Sequence, residues 1–456
     1  MLKINKLLIL IYTISFASLM VNLDTYVVNV ALPSITESFG AVTSDISWVV
    51  MAYNLMVVSL LLIFGKLGDT IGLKKLFNIG FIIFSLSSLM CGLANSVGFL
   101  VFSRFLQGIG ASILYALPQA LIAKYLPKER RGMAFGILAS AAALGITLGA
   151  PVSGFITEFL SWRWIFFINV PIGILSVLFL NYSASEKLFE NKSHNKFDFL
   201  GGFLSFIFAL FFTLLINKLN VFGIFSKESC IFIVIAVFAL ILFIIRALKI
   251  ENPILNLQVF KNLNFDFANI AMFLVSAYLA ATNFLIPFYL TKILNFSLVK
   301  IGFFFMLYSV SYMLTSLISG KLSNKISLRI VCAVSMFILS LNIVGLVTSM
   351  NEEYNILFLY PFFIISGITM SFFITSNNNL VMLMAKRGEE GMIAGTHRLI
   401  GRLGMLIGVA VFEALYTFSL RFGSLQAFEK CYLFAAIICF LASVFSLLVK
   451  NYKIYK

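Results

Sequence analysis

The sequence is poor in charge: 11% of its 456 residues are Asp, Glu, Lys or Arg, against about 25% in ordinary soluble domains. With 61% apolar residues, it excludes a water-soluble fold. Histidine is almost missing, with two in the chain, and the five cysteines show no C-x-x-C spacing. Without H-E-x-x-H or clustered carboxylates, neither a metal site nor a nucleophile–base pair is expected, so the chain does not read as an enzyme. A phosphate loop of the form G-x-x-x-x-G-K-[ST] is also absent, which removes a nucleotide as the energy source. Cys91, Cys230, Cys332, Cys431 and Cys439 fall in or beside apolar runs and read as packing residues.

What the chain does have is long apolar runs, with 51 phenylalanines among them. One membrane-spanning helix takes about 20 apolar residues. Such runs lie near 7–32, 46–64, 76–94, 101–123, 134–156, 164–181, 199–217, 229–248, 265–290, 299–320, 330–348, 356–376, 392–420 and 431–449. We number them spans 1 to 14. An all-α polytopic membrane protein follows, with no room for a sizeable extramembrane domain. Span 1 lacks a small-residue cleavage site and carries Asp24, so it is expected to be retained.

The net charge of +15 would suggest nucleic acid in a soluble chain, but its distribution points elsewhere. With the N-terminus inside, 23 of the 33 Lys and Arg residues fall on the cytoplasmic side, seven outside, and three within spans (Arg104, Arg398, Arg402). This is the positive-inside pattern. It places a multi-pass protein in the cell membrane with both termini cytoplasmic, and makes the lipid bilayer, rather than nucleic acid, its partner.

The chain also repeats itself. Gly65-Lys66-Leu67-Gly68-Asp69-Thr70-Ile71-Gly72-Leu73-Lys74, after span 2, matches Gly320-Lys321-Leu322-Ser323-Asn324-Lys325-Ile326-Ser327-Leu328-Arg329 at five of ten positions and an offset of 255. Asn29 and Pro33 recur as Asn283 and Pro287 at offset 254, and Gly132, Met133 and Gly136 as Gly391, Met392 and Gly395 at offset 259. Three ordered echoes at nearly one offset indicate a duplication. It pairs spans 1, 2 and 5 with 9, 10 and 13, so residues 1–181 and 263–456 form six-helix bundles, and 182–262 holds two inserted helices with their linkers. Parallel six-helix repeats are the architecture of major facilitator transporters, with the substrate site between the halves.

Charged residues inside spans are the candidates for chemistry, because ionisation in hydrocarbon is costly. Asp24 lies roughly 25 Å along span 1 from Leu7, at 1.5 Å per residue. It shares a helix face with Thr13, Ala17, Met20, Val28 and Ala31, while Ser15, Ser18, Asn22, Thr25 and Asn29 form another. One face is expected to line a cavity and the other to pack; the bland alternative puts Asp24 among headgroup water. In span 4, Arg104 opens a stripe through Gln107, Gly108, Ala111, Tyr115 and Gln119. Its guanidinium needs an acid, carbonyls or water, and either tunes a carboxylate or ties two helices together.

Span 13 carries Arg398, Arg402 and Glu413. Arg402 and Glu413 share a face about 16 Å apart. Glu413 is near mid-membrane if hydrocarbon begins at Leu403, and near the outer end if it begins at Met392. His397 points away from Glu413 and reads as packing; His194 reads as a solvated loop residue. Span 5 places Ala141, Gly145, Gly149 and Ser153 at four-residue spacing, with Pro151 and Gly154, which suits close helix packing and a bend.

Several of these segments resemble the 14-span drug:proton antiporters of the major facilitator superfamily, over essentially the whole chain. Gly65 to Lys75 looks like the signature G-x-L-x-D-R-x-G-R-[KR] after span 2, with Thr70 and Leu73 where arginines are usual. The resemblance implies a conformational latch made of Gly65, Asp69, Gly72 and Lys74, with Asp69 meeting Arg130, Arg131 or a helix N-terminus. Leu23-Asp24-Thr25-Tyr26-Val27-Val28-Asn29-Val30-Ala31-Leu32-Pro33 is similar to the span 1 signature of the 14-span group and implies a coupling or substrate role for Asp24. Arg104-Phe105-Leu106-Gln107-Gly108-Ile109-Gly110 is similar to the span 4 motif, whose arginine is linked with proton transfer. Gly145-Ile146-Thr147-Leu148-Gly149-Ala150-Pro151-Val152-Ser153-Gly154 looks like the antiporter motif and implies export. Trp162-Arg163-Trp164-Ile165-Phe166-Phe167-Ile168-Asn169-Val170-Pro171 also fits the group, and Glu413 corresponds loosely to acidic residues of span 13.

The expectation is a monomeric, proton-coupled multidrug exporter working by alternating access on lipophilic, cationic small molecules. Asp24, Arg104, Glu413 and Arg402 would carry coupling and substrate binding; Asn29, Gln107, Tyr115 and Gln119 would line the cavity. The proton gradient would replace any cofactor. The alternative is an exporter of a lipid, or of an anionic or neutral metabolite, on the same fold; a passive channel is disfavoured, since no filter-like ring of charge or glycine recurs.

Overall fold

The computed structural model describes residues 2–40, 43–183, 197–222, 226–296, 298–322, 326–349, 358–386 and 388–450. His194 and the last six residues lie outside them, and so does the side chain of Asn29, whose backbone is helical. Sixteen α-helices follow in chain order: α1 (Leu2–Phe39), α2 (Thr43–Ile71), α3 (Leu73–Gly92), α4 (Val97–Ala116), α5 (Pro118–Tyr125), α6 (Lys128–Phe159), α7 (Trp164–Phe167), α8 (Asn169–Ser183), α9 (Phe199–Phe222), α10 (Lys227–Lys249), α11 (Leu263–Lys292), α12 (Leu298–Leu322), α13 (Leu328–Thr348), α14 (Leu359–Leu383), α15 (Glu390–Ser419) and α16 (Ser424–Leu448). No strand occurs among the described residues.

Among those residues, 14 stretches are long and apolar enough to cross a membrane. Two of the expected spans are broken helices. The run near 101–123 is α4 and α5, parted at Leu117, because Pro118 has no N–H to donate and its ring would collide with the carbonyl four residues back. Pro118 sits in the first turn of α5 instead, where its missing N–H costs nothing. The run near 164–181 is α7 and α8.

The chain divides into two compact units. Unit 1 is Met1–Pro127, Ala141–Leu257 and Ala385–Leu399; unit 2 is Lys128–Ser140, Gln258–Met384 and Ile400–Lys456. The inserted helices α9 and α10 therefore group with unit 1, where α10 and the segment after it meet α2 in a small core of Phe243, Ile254 and Leu62. The first turns of α15 also belong to unit 1, and those of α6 to unit 2. Both ends are drawn in by close glycine crossings described below. Outward faces remain apolar: on α10, Val234, Phe238, Ile241, Ile245 and Leu248 are all exposed. A run of that size fits hydrocarbon rather than water.

Candidate functional site

Asp24 and Arg104, 80 residues apart in sequence, meet inside unit 1. The guanidinium Nη1 donates to Asp24 Oδ2 at 2.6 Å, and each side chain is 1% exposed. The other carboxylate oxygen accepts from Gln107 Nε2 at 2.9 Å and from Asn169 Nδ2 at 3.0 Å. Arg104 is held in turn: its Nε donates to the Val49 carbonyl at 3.1 Å, its Nη1 also donates to Gln107 Oε1, and its guanidinium lies 4.1 Å over the Tyr53 ring. Gln107 completes the set by donating to Ser88 Oγ at 2.7 Å. Polar donors and acceptors thus replace the water that both charges gave up, as a buried ion pair requires.

Thr13, Ala17, Met20, Asp24, Val28 and Ala31 are all buried, so Asp24 stands on the packed face. Gln107 and Gln119, expected on a cavity wall, are fully buried as well. The physical reason is Arg104, whose donors demand acceptors in a dry interior and recruit Gln107 as one. Tyr115 is also buried, and its hydroxyl donates to Asn22 Oδ1 at 3.1 Å. Asn29, the fourth cavity residue expected, has its side chain outside the described ones.

The antiporter-like segment sets the position of α1. A Cβ on Gly145 would lie 2.5 Å from the Leu19 carbonyl oxygen, and one on Gly149 would collide with Tyr26 Cβ. Ser153 Oγ donates to the Val27 carbonyl at 2.8 Å. Close approach therefore brackets Asp24 on both sides along α1. Pro151 is exposed, and a Cβ on Gly154 would meet nothing within 4 Å, so these two residues do not share in the contact.

At the other end of unit 1, Asp69 caps α15. Its Oδ1 accepts from Gly391 N and its Oδ2 from Met392 N, each at 2.8 Å. Of the partners expected for this carboxylate, the structure supplies the helix N-terminus, where unpaired N–H groups and the helix dipole both favour negative charge. The approach depends on glycine. A Cβ on Gly391 would strike the Gly65 carbonyl, and one on Gly395 would lie 2.8 Å from the Leu61 carbonyl oxygen. Gly72, at φ 101°, supplies the turn into α3, where Lys74 is half-buried. Arg130 is exposed and Arg131 half-buried in the first turn of α6, in unit 2.

Unit 2 repeats that crossing with the echoed glycines. A Cβ on Gly320 would strike the Gly132 carbonyl, and one on Gly136 would lie 2.5 Å from the Ser316 carbonyl oxygen. The hydroxyls of Ser140 and Ser316 hydrogen-bond across it. The position of Asp69 corresponds to Asn324, which lies outside the described residues.

Glu413 is half-buried on α15, in unit 2. Since that helix begins at Glu390, Glu413 lies about 34 Å along it at 1.5 Å per residue. Arg402 is half-buried on the same helix, and His397 is fully buried.

Sequence reasoning missed Asn169, Tyr53 and Ser88. Asn169 had a signal, since it lies in the Trp162 to Pro171 segment, which the structure brings against Asp24. Also in unit 2, a pocket is lined by Tyr278, Thr282, Asn283, Tyr308, Phe363 and Ser366, with no charged side chain among its walls.

The family model described as Major Facilitator Superfamily matches residues 14–248 and 268–453. Among curated proteins, the chain is 30% identical over 450 residues to the riboflavin transporter RibZ of Clostridioides difficile (strain 630), covering 96% of each chain. It is 29% identical over 413 residues to multidrug resistance protein 3 of Bacillus subtilis (strain 168), covering 88% of this chain and 77% of the relative. Among solved structures, the human organic anion transporter MFSD10 matches with a TM-score of 0.69 at 13% identity, over 96% of this chain and 98% of that one. The proton:xylose symporter XylE bound to 6-bromo-6-deoxy-D-glucose matches with a TM-score of 0.67 at 13% identity, over 98% and 96%.

Proposed function

The chain belongs to the major facilitator superfamily, and from that premise we propose that it is a proton-coupled exporter of lipophilic, cationic small molecules. The observation that carries the reading is the Asp24–Arg104 pair, 1% exposed on both sides. A buried pair adds little net stability compared with apolar packing, so an ionisable pair kept inside a membrane protein points to a working role. A proton on Asp24 removes the charge that Arg104 complements; a cationic substrate offers the carboxylate a rival partner. Proton and substrate thus compete for one group, which is sufficient for exchange. Gln107 and Asn169 hold the carboxylate between these events, and the glycines of α6 hold α1.

We place the Asp69 crossing on the cytoplasmic side of the cell membrane, with both termini there, because the basic residues gather on that side. Alternating access then requires the cap on α15 to open once per cycle. The transporter works as a monomer in the lipid bilayer, on a proton gradient and without a cofactor. Arg402 and Glu413 are assigned to the substrate route along α15, Glu413 at its outer end.

The test is proton movement in inverted vesicles with a set pH gradient, over a panel of lipophilic cations, neutral compounds and anions. Cation-triggered proton flux in wild type that disappears in Asp24→Asn is the expected result. Equal flux in Asp24→Asn, or none from any compound with folded, inserted protein, overturns the reading. A second reading, export of a neutral metabolite, is favoured by the riboflavin transporter among the relatives. Riboflavin in the same panel separates the two.

A further inference from the structure

The inserted helices α9 and α10 have no part in that reading, yet the segment leaving α10 ends on the same helical turn that Asp69 caps. Asp198 precedes α9 and closes its first turn: Oδ1 accepts from Gly201 N at 2.9 Å. The same oxygen accepts from Arg246 Nε at 2.7 Å, which ties the end of α10 to the start of α9. Beyond α10 the chain turns back, and Ile254, fully buried, packs with Leu62 of α2 and Phe243 of α10; Leu399 of α15 lies against the same cluster. Two residues on, Asn256 meets the first turn of α15 through polar groups. Its N–H points at Met392 Sδ at 3.3 Å and its Nδ2 donates to Glu389 Oε1 at 3.4 Å.

We infer that the inserted pair is a second arm of the clamp on α15, with residues 250–257 as a strap positioned by the Asp198–Arg246 pair. The two arms use different atoms of one turn. Asp69 takes the backbone N–H groups of Gly391 and Met392; Asn256 takes the Met392 side chain and the Glu389 carboxylate. The two arms share no donor or acceptor atom. Asp198, Arg246 and Asn256 are positioning residues, touching neither substrate nor the Asp24 site. The inference rests on the proposed function only in treating release of this turn as a step of transport.

Hydrogen exchange of the full-length protein in lipid nanodiscs tests it without substrate or proton gradient, so its outcome is independent of what is carried. Asn256→Ala removes the strap's side-chain contact with Glu389 and keeps its backbone N–H at Met392; Asp198→Asn keeps an acceptor for Gly201 N but removes the charge facing Arg246. Loss of about one hydrogen bond corresponds to roughly a three- to tenfold faster exchange. That increase is expected at residues 389–395 in both variants, with α3 and α4 unchanged as the folding control. Asn256→Asp, which sets a carboxylate beside Glu389, is expected to exceed Asn256→Ala, and Asn256→Gln to restore part of the protection. Exchange that rises only at residues 198–204 in Asp198→Asn, or unchanged exchange at 389–395 in Asn256→Ala, overturns the inference.

Discussion

Offset 254, which carries Asn29 onto Asn283, carries Asp24 onto Tyr278. Both residues are 2% exposed on the first helix of their repeat, but their surroundings differ in kind. Asp24 faces a guanidinium and two amides; Tyr278 lines a pocket without charge, together with Thr282 and Ser366. The duplication has thus kept a backbone frame while separating two chemistries. One repeat holds a buried ion pair, and the other a pocket lined by aromatic and uncharged polar side chains.

The comparison breaks most visibly at Arg104. Arg104→Ala leaves Asp24 buried without its counter-charge, at a cost of about 3–5 kcal/mol. Thermal unfolding in nanodiscs should show that loss, and Asp24→Asn/Arg104→Ala together should recover part of it. Gly145→Val is next: the new side chain meets the Leu19 backbone and should cost about 1–3 kcal/mol by overpacking. If the glycine positions Asp24, proton-linked flux falls further than stability alone accounts for, while aromatic binding to unit 2 is spared. The smallest effect is Tyr278→Phe, about 0.5–1.5 kcal/mol for one hydrogen bond. It should raise KM for ring-bearing substrates and leave the pH dependence of flux unchanged; a shifted pH profile would show that the two repeats do not divide the work.

The spans were legible because about 20 apolar residues are needed to cross a membrane, whatever their neighbours. The break at Leu117 was not, since the run stays apolar through Pro118 and only the ring chemistry of proline interrupts it. Asp24 and Arg104 were legible one at a time, by the cost of charge in hydrocarbon. Their meeting was not, because helical spacing reports which face a residue shares and not what packs against it. Asn169 shows the same limit: it lay in a recognised segment, 145 residues from the carboxylate it serves. The duplicated glycines were legible as repeats, and only coordinates reveal that Gly65 meets Gly391 and Gly395 while Gly320 meets Gly132 and Gly136.

The Asp69 cap has a consequence for how hard the molecule must be pushed. Side-chain capping of a helix N-terminus is worth about 0.5–2 kcal/mol, whereas moving a two-state equilibrium from 1:99 to 99:1 takes about 5.5 kcal/mol. A carboxylate on two N–H groups therefore biases the population without freezing it. The open form stays within reach of thermal fluctuation, and a ligand of modest differential affinity completes the shift.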